Sequence, residues 1–171
     1  MLTRLEYIVS VLSIVGLYDL ARGGSMPAVT GSVEISRPPE AVFAYVADVR
    51  RRGEWQAAVQ DIQVQTPDLT GAGMQVLEKR RVPGGARTFR WQVTDYQPPA
   101  SWGFRGTGNP VNATAQMRFT PLAQGAATMV SFEIDFEARG LAKLIAPLAR
   151  RGARNEIPRD LKQLKAQLES H

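Results

Sequence analysis

Between residues 29 and 138, apolar and polar side chains alternate with a period of two in a series of short segments. This pattern is typical of half-buried β-strands. The first segment carries Val33 and Ile35. Six more follow, separated by turns rich in proline, glycine and asparagine. Their predicted bounds are 62–65, 74–82, 87–96, 101–106, 111–120 and 127–138. Because the loops between successive segments are short, the pattern predicts an antiparallel meander.

Helical spacing is found in two other regions. After Pro38-Pro39-Glu40, an apolar face from Val42 to Val49 predicts a helix, and a second short helix is predicted over 54–59. The C-terminal region carries apolar residues at i, i+3, i+4 and i+7, and then a second similar stripe. These residues are Leu141, Leu144, Ile145 and Leu148, followed by Ile157, Leu161, Leu164 and Leu168. Prolines and a glycine are expected to bend or interrupt this helix, namely Pro147, Gly152 and Pro158.

The element order is therefore a strand, two short helices, six strands and one long helix, which is an α+β arrangement. One helix cannot cover a flat sheet of seven strands. A strongly curved antiparallel sheet that wraps around the helix solves this difficulty and leaves a cavity between them.

The chain divides into an N-terminal apolar extension, residues 1–25, and a single domain, residues 26–171. The uncharged run from Tyr7 to Tyr18 is too short to cross a membrane, and no signal-peptide cleavage motif follows it. It is read either as a loosely attached helix or as a segment upstream of a true start at Met26.

Composition excludes several kinds of chemistry. The chain has no cysteine, and its one histidine is the last residue, His171. A zinc site and the Ser–His or Cys–His nucleophile systems are therefore not expected. Phosphate-binding loop motifs are absent, so no cofactor is predicted. The lack of cysteine suits a cytoplasmic protein.

The net charge of +5 is located at the C-terminal end, where residues 139–171 hold eight basic and three acidic residues. One interpretation is a solvated helix face. The other is contact with an anionic membrane surface through Arg150, Arg151 and Arg154, which would make the protein peripheral at the membrane. Nucleic acid is disfavoured because no aromatic residues lie among these charges.

Several stretches, in their order and spacing, resemble the START-like superfamily often abbreviated SRPBCC, in particular its polyketide cyclase/dehydrase and lipid-transport members. The matching stretches are Val33-Glu-Ile-Ser-Arg-Pro-Pro-Glu-Ala-Val-Phe43, Val46-Ala-Asp48, Trp55, Thr70-Gly-Ala-Gly73, Tyr96-Gln-Pro-Pro99, Phe119-Thr-Pro121 with Gly125, and Leu164-Lys-Ala-Gln-Leu168. One departure is Ala126-Ala127-Thr128, where relatives commonly have Gly-Thr. The resemblance covers residues 29–169 and implies the helix-grip fold with an apolar pocket, but no single activity.

Strand alternation assigns the residues that would line this pocket. They share the apolar face of the sheet and are Phe89, Trp91, Val93, Trp102, Phe104, Ala115, Met117, Phe119, Phe132 and Ile134. Leu144 and Leu148 of the C-terminal helix are expected to face back onto them. The alternative is that these side chains are simply core. The small side chains of Ala113 and Ala115 favour a cavity.

Candidate catalytic groups are few. Glu78 would be a general acid or base if it pointed inward, although a surface position is the expectation. Tyr96 is a second candidate, and Tyr45 and Asn109 could supply hydrogen bonds.

Two groups of charged residues are read as structural. The carboxylates Glu133, Asp135 and Glu137 share one strand face opposite an apolar one. They are therefore read as a solvated charge ladder with Arg90 and Arg118. The basic run 50–52 suits a helix C-terminus.

Three hypotheses follow. The favoured one is a non-catalytic carrier or sensor of a hydrophobic small molecule, such as a lipid, a quinone, an isoprenoid or a polyketide. The second is a cofactor-free polyketide cyclase or dehydratase that uses the same cavity. The third is a membrane-associated adaptor anchored by residues 1–25 and the basic helix.

Overall fold

The computed structural model describes residues 27–170. Its strands form one sheet in the order β1-β7-β6-β5-β4-β3-β2, and every neighbouring pair is antiparallel. The strands are β1 (Val29–Ile35), β2 (Val59–Val64), β3 (Gln75–Val82), β4 (Gly85–Gln97), β5 (Ser101–Gly106), β6 (Val111–Leu122) and β7 (Ala127–Ala138). The predicted curved, seven-stranded antiparallel sheet and the α+β class are confirmed.

Two short helices connect β1 to β2, which lie at opposite edges of the sheet. Helix α1 spans Pro39–Ala47, and a 3₁₀ turn at Val49–Arg51 leads into the four-residue helix α2, Arg52–Trp55. The second helix therefore begins and ends earlier than the predicted 54–59. Asp48 accounts for part of the difference, because its carboxylate accepts a hydrogen bond from the Arg50 amide and begins a new helical turn there.

The C-terminal helix α3 runs without interruption from Ala146 to Glu169, after a 3₁₀ turn at Gly140–Leu144. Pro147 lies in its first turn, where proline is tolerated. The expected interruption at Gly152 or Pro158 is not found. The buried residues Ile157 and Leu161 lie on either side of Pro158, so packing of this half of the helix offsets the missing backbone hydrogen bond.

Helix α3 crosses the sheet over β1 and contacts β7 and α2 as well. The closest approach is at Gly31. A Cβ atom placed there would lie 2.6 Å from Cγ2 of Ile157 and 3.1 Å from Cδ1 of Leu161. Only glycine therefore lets the helix lie this close to the strand. Ile157, Leu161 and Leu164 belong to the main hydrophobic core.

The predicted extension, residues 1–25, lies outside the described residues and stays a prediction. Within residues 27–170, no helix combines the length and the hydropathy that a membrane-spanning helix needs.

Candidate functional site

The middle of the concave sheet face is filled by aromatic side chains. The ring centroids of Trp91 and Phe104 lie 4.9 Å apart, and Trp102 lies 6.1 Å from Trp91 and 5.8 Å from Phe104. Most of the predicted lining residues are buried in this way, namely Trp91, Val93, Trp102, Phe104, Ala115, Met117, Phe119 and Phe132. In this structure they pack as core, which is the alternative interpretation of the pattern.

One end of the concave face is less covered. Phe136 lies opposite Ala113 across the β6–β7 pair, and Ile134 lies opposite Ala115. Phe89 occupies the corresponding end of β4, beside Glu78 of β3. Phe89, Ala113, Ile134 and Phe136 are all half-buried. We call these four residues the open end of the concave face.

Leu144 and Leu148 do not face the sheet, and this expectation is wrong. Their exposed fractions are 80% and 56%. The physical reason is the phase of the helix. Leu148 precedes the buried Ile157 by nine residues, or two and a half turns of a helix with about 3.6 residues per turn, and so lies on the opposite side. Leu144 lies before α3, in the 3₁₀ turn Gly140–Leu144, and is exposed there.

Glu78 is buried rather than at the surface, so the second expectation is also wrong. Its exposed fraction is 2%. One carboxylate oxygen, Oε2, accepts hydrogen bonds from Nε of Arg52 at 3.1 Å and from Nε1 of Trp91 at 3.2 Å. The other, Oε1, accepts one from Nη1 of Arg80 at 3.0 Å. Two arginines and an indole therefore supply the partners that a buried carboxylate needs.

Arg52 is buried as well, although its position in a basic run indicated only that its charge suits a helix C-terminus. Its guanidinium carbon lies 5.1 Å from the Trp91 ring centroid, 5.6 Å from that of Trp102 and 5.2 Å from that of Phe104. Gln56 accepts a further hydrogen bond from Nη2 at 3.0 Å. Burial lowers the pKa of Arg52, and the neighbouring Glu78 opposes that shift. A cation thus lies within the aromatic core.

The charged residues around Arg52 and Glu78 extend through Arg80 to helix α3, where the side chains are partly exposed to solvent. Nη2 of Arg80 donates to Glu156 at 2.8 Å, and both side chains are partly exposed. Asp160, one helical turn further on, accepts a hydrogen bond from the Ala57 amide. Burial raises the pKa of Asp160 to about 6, and the cations Arg80 and Arg52 oppose this shift only in part. We call Arg52, Glu78, Arg80, Glu156 and Asp160 the buried ion cluster.

Two indole groups beside Arg52 lack a hydrogen-bond acceptor. Among residues 27–170, Nε1 of Trp55 and Nε1 of Trp102 are the buried side-chain polar atoms without a partner. Both rings lie within 6 Å of the Arg52 guanidinium carbon, at 5.9 and 5.6 Å. Unsatisfied buried donors are rare in folded proteins, and both N–H groups are available to a hydrogen-bond acceptor such as a water or a ligand oxygen.

Tyr96 lies away from this cluster. It lines a groove of about 550 Å³ between α1, the loop before β3 and the turn at Pro98–Pro99. Its ring packs edge-on against Phe43 at 5.2 Å. The groove falls within the size range of small-molecule sites, roughly 300–1,000 Å³. Glu78 and Tyr96, the two candidate catalytic groups, are therefore not brought together.

The family comparison assigns the chain. The model of the family described as polyketide cyclase/dehydrase and lipid transport matches residues 26–169. The chain belongs to this family. A Mycobacterium tuberculosis protein named as a toxin is 23% identical over 137 residues, which cover 80% of this chain and 94% of that protein.

Solved structures show the same fold. A START superfamily protein from Mycobacterium smegmatis has a TM-score of 0.71 and 15% identity, with 85% of this chain and 99% of that chain covered. An aromatase/cyclase from Streptomyces sp. R1128 has a TM-score of 0.67 and 16% identity, with 83% and 93% covered. At these identities the structures establish the helix-grip fold, and the activities named for relatives are not thereby assigned to this chain.

Within this polyketide cyclase/dehydrase and lipid transport domain, the other candidates have structural roles. The hydroxyl group of Tyr45 donates to Glu54 at 2.7 Å. Asn109 bonds the main chain of Arg90. On β7, Glu137 pairs with Arg105 at the surface, whereas Asp135 pairs with Arg150.

The expectation that Arg150 is available to an anionic membrane surface is also wrong. Arg150 is 5% exposed, and it donates to the carbonyls of Pro27 and Phe136 as well as to Asp135. These contacts hold the start of α3 against the edge of the sheet. Arg150 is therefore not available to a membrane surface. Arg151 and Arg154 are exposed, as predicted.

Sequence reasoning missed the buried ion cluster as a unit. The sequence shows Arg52 only as part of a basic run, and it shows Asp160 only as one of several charged residues on a helix. Neither pattern indicates burial. Glu78 interrupted the apolar face of its strand next to Val76. The position of the Glu78 carboxylate on the same strand face as a buried residue is the one feature of the sequence that could have indicated its burial.

Proposed function

We propose that this domain binds an apolar small molecule that ends in a carbonyl or carboxylate group, and that it acts as a carrier or sensor. The apolar body would lie at the open end of the concave face, against Phe89, Ala113, Ile134 and Phe136. The oxygen-bearing end would be recognised at the buried ion cluster. The family supports binding of a hydrophobic molecule, and the chemistry of the cluster supports the choice of its polar end.

The observation that carries this proposal is the set of donors around Arg52. The Arg52 guanidinium carbon lies within 6 Å of the ring centroids of Trp55 and Trp102, whose buried indole N–H groups have no acceptor in the described chain. All of them donate hydrogen bonds, so they complement an acceptor rather than a donor. Hydrogen bonds to a charged group are strong where water is excluded, which favours oxygen-bearing ligands such as fatty acids, quinones and polyketides.

The Arg80–Glu156 ion pair is the proposed entry point for the ligand to the buried ion cluster. It joins β3 to α3 and is the partly exposed limit of the cluster, with side-chain exposures of 23% and 42%. Exposed ion pairs contribute little to stability, about 0–1 kcal/mol. Separation of these two side chains would therefore open a path to Glu78 and Arg52 at small cost.

The test is a steric block with a matched control. Ala113→Phe places a large ring at the open end, whereas Thr114→Phe places the same ring on the convex face of the same strand. The full chain is purified from cells, and the molecules that it retains are examined by native mass spectrometry and after extraction with organic solvent. Binding of the apolar sulfonate dye anilinonaphthalene sulfonate is measured in parallel.

We expect the unmodified chain and Thr114→Phe to retain an apolar molecule and to bind the dye, and Ala113→Phe to lose both. Circular dichroism and the unfolding midpoint check that both variants are folded, since a loosened core also binds this dye. The proposal fails if the unmodified chain retains no molecule and binds no dye, or if Ala113→Phe binds as well as Thr114→Phe.

A second candidate function is cofactor-free cyclisation or dehydration of a polyketide-like substrate. Asp160 favours it, because a carboxyl group with a pKa of about 6 exchanges protons near neutral pH. Its carboxylate would remove a proton next to a carbonyl, and the Arg52 guanidinium would stabilise the enolate oxygen.

The chemical test uses a linear poly-β-ketone thioester analogue, with loss of water followed by mass spectrometry. We expect product formation to rise as Asp160 ionises near pH 6 and to fall strongly in Asp160→Asn. Absence of product above the protein-free reaction would leave carriage as the function.

A further inference from the structure

The beginning of the C-terminal helical region exposes a group of large apolar side chains. Among residues 27–170, four of the five exposed large apolar side chains lie within eight consecutive positions. They are Leu141, Leu144, Ile145 and Leu148, with exposed fractions of 87%, 80%, 52% and 56%. We call these four residues the apolar patch. Clustered exposure of this kind is unusual in soluble domains and marks interaction sites.

Leu148 of the apolar patch is directed away from the sheet face on which Ile157 packs. Leu148 lies half a turn around α3 from Ile157, which packs on Gly31 of the sheet. Arg150 fixes this orientation through its contacts with Pro27, Asp135 and Phe136. To cover the apolar patch with the concave face, the helix would have to break these contacts and rotate by half a turn. The sheet therefore does not cover the apolar patch in this structure.

The surroundings of the apolar patch carry one sign of charge. Arg139, Lys143, Arg151 and Arg154 are all exposed. No aspartate or glutamate occurs from residue 138 to residue 155. The same solvent face of α3 continues with Arg159 and Lys162, which are also exposed. Apolar side chains with a flanking basic face are the combination by which amphipathic helices bind anionic membranes.

We propose that the apolar patch docks this domain onto the surface of an anionic phospholipid bilayer. The leucine and isoleucine side chains insert at the level of the acyl chains, and the four cations contact phosphate groups. A second copy of the chain fits this surface less well, because a two-fold contact would bring the two sets of cations together. The docking requires only the apolar patch and its flanking cations, and not the proposed ligand.

The experiment is vesicle flotation of the full chain. One set of vesicles contains phosphatidylcholine alone, and the other contains equal parts of phosphatidylcholine and phosphatidylglycerol. The variant Leu144→Ser/Leu148→Ser removes two exposed apolar side chains, so its fold is expected to be unchanged. Its control is Leu69→Ser, which changes the fifth exposed large apolar side chain, located in the loop before β3 and 40% exposed.

The unmodified chain and Leu69→Ser are expected to float with the anionic vesicles and not with the neutral ones. Leu144→Ser/Leu148→Ser should partition more weakly by about tenfold or more, because two side chains no longer enter the apolar layer. Arg151→Gln/Arg154→Gln should lose about thirtyfold. Its control, Arg81→Gln/Arg118→Gln, should float normally.

Three results would overturn the proposal. One is flotation that is equal with neutral and anionic vesicles. Another is unchanged flotation of the double serine variant, which would assign membrane binding to another segment. The third is concentration-dependent self-association in sedimentation that the double serine variant abolishes, which would assign the apolar patch to a second copy. The extraction measurement above, compared between Ala113→Phe and Thr114→Phe, does not involve the apolar patch, so failure here is distinguishable from failure of the proposed function.

Discussion

The second half of helix α3 and the region where the helix begins carry similar apolar stripes and have opposite surroundings. Leu161 and Leu164 in the second half are 3% and 0% exposed, whereas Leu144 in the preceding 3₁₀ turn and Leu148 in the first turn of α3 are 80% and 56% exposed. Spacing alone does not distinguish them. For Leu148 the difference comes from phase, because this residue lies half a turn around the uninterrupted helix from the buried Ile157. Periodicity shows which residues share a face, and packing decides which face is covered.

The largest expected effect tests this contrast directly. Leu161→Ala should lower the free energy of unfolding by about 2–5 kcal/mol, because it leaves a cavity under the helix. Leu148→Ala should change it by no more than about 0.5 kcal/mol, as is usual for exposed positions. Both are measured by urea unfolding followed by circular dichroism. Similar losses in the two variants would mean that the start of α3 is packed in solution.

The next largest effect concerns the contact between Gly31 of β1 and the buried second half of α3. Gly31→Ala should cost about 1–3 kcal/mol, since the new methyl group would overlap Ile157 and force the helix away from β1. The same unfolding measurement checks it. Gly31→Ala combined with Ile157→Val should recover part of the loss if the overlap is the cause. An unchanged stability in Gly31→Ala would show that the helix lies further from the strand.

A smaller expected effect is the pH dependence of stability that Asp160 gives to the buried half of α3. The pKa of Asp160, raised by burial to about 6, exceeds its ordinary value of 3.8. The folded state therefore holds this proton where the unfolded chain has released it. The resulting stabilisation is fully present below about pH 4 and is lost as the pH rises through about 6.

Asp160→Asn removes this contribution. Relative to the unmodified chain, the variant should be more stable at pH 7 by about 1 kcal/mol, a figure reduced for partial exposure of the side chain. The difference should vanish below about pH 4. Urea unfolding across this range measures it. A constant difference at all pH values would show that Asp160 titrates normally.

Much of the architecture could be predicted from the chain. Alternation located the seven strands, and the turn residues implied antiparallel neighbours, because both signals are local. The interior was harder. Arg52 and Glu78 satisfy each other across 26 residues of sequence, and no local pattern reveals such a pair. Each looked like a surface charge because burial of a lone charge is costly, and only their pairing makes it tolerable.

The direction of the first apolar stripe was predictable in principle. For Leu148 to face the sheet together with Ile157, an interruption at Gly152 or Pro158 would have had to reset the helical phase. Proline usually ends a helix, but Pro158 follows Ile157 and precedes Leu161, and both are buried. Burial of these neighbours holds the helix together across the missing hydrogen bond.

The smallest expected effect examines that continuity. Gly152 lies in the first half of α3, and a Cβ atom there would meet no other atom within 4 Å. Gly152→Ala should therefore stabilise the domain by about 0.5–1 kcal/mol, since alanine loses less backbone entropy in a helix. The gain requires that residues 146–169 form one helix in solution. If Gly152 were instead a hinge between two segments, alanine would give no gain, and the phase argument that turns the apolar patch away from the sheet would lose its basis.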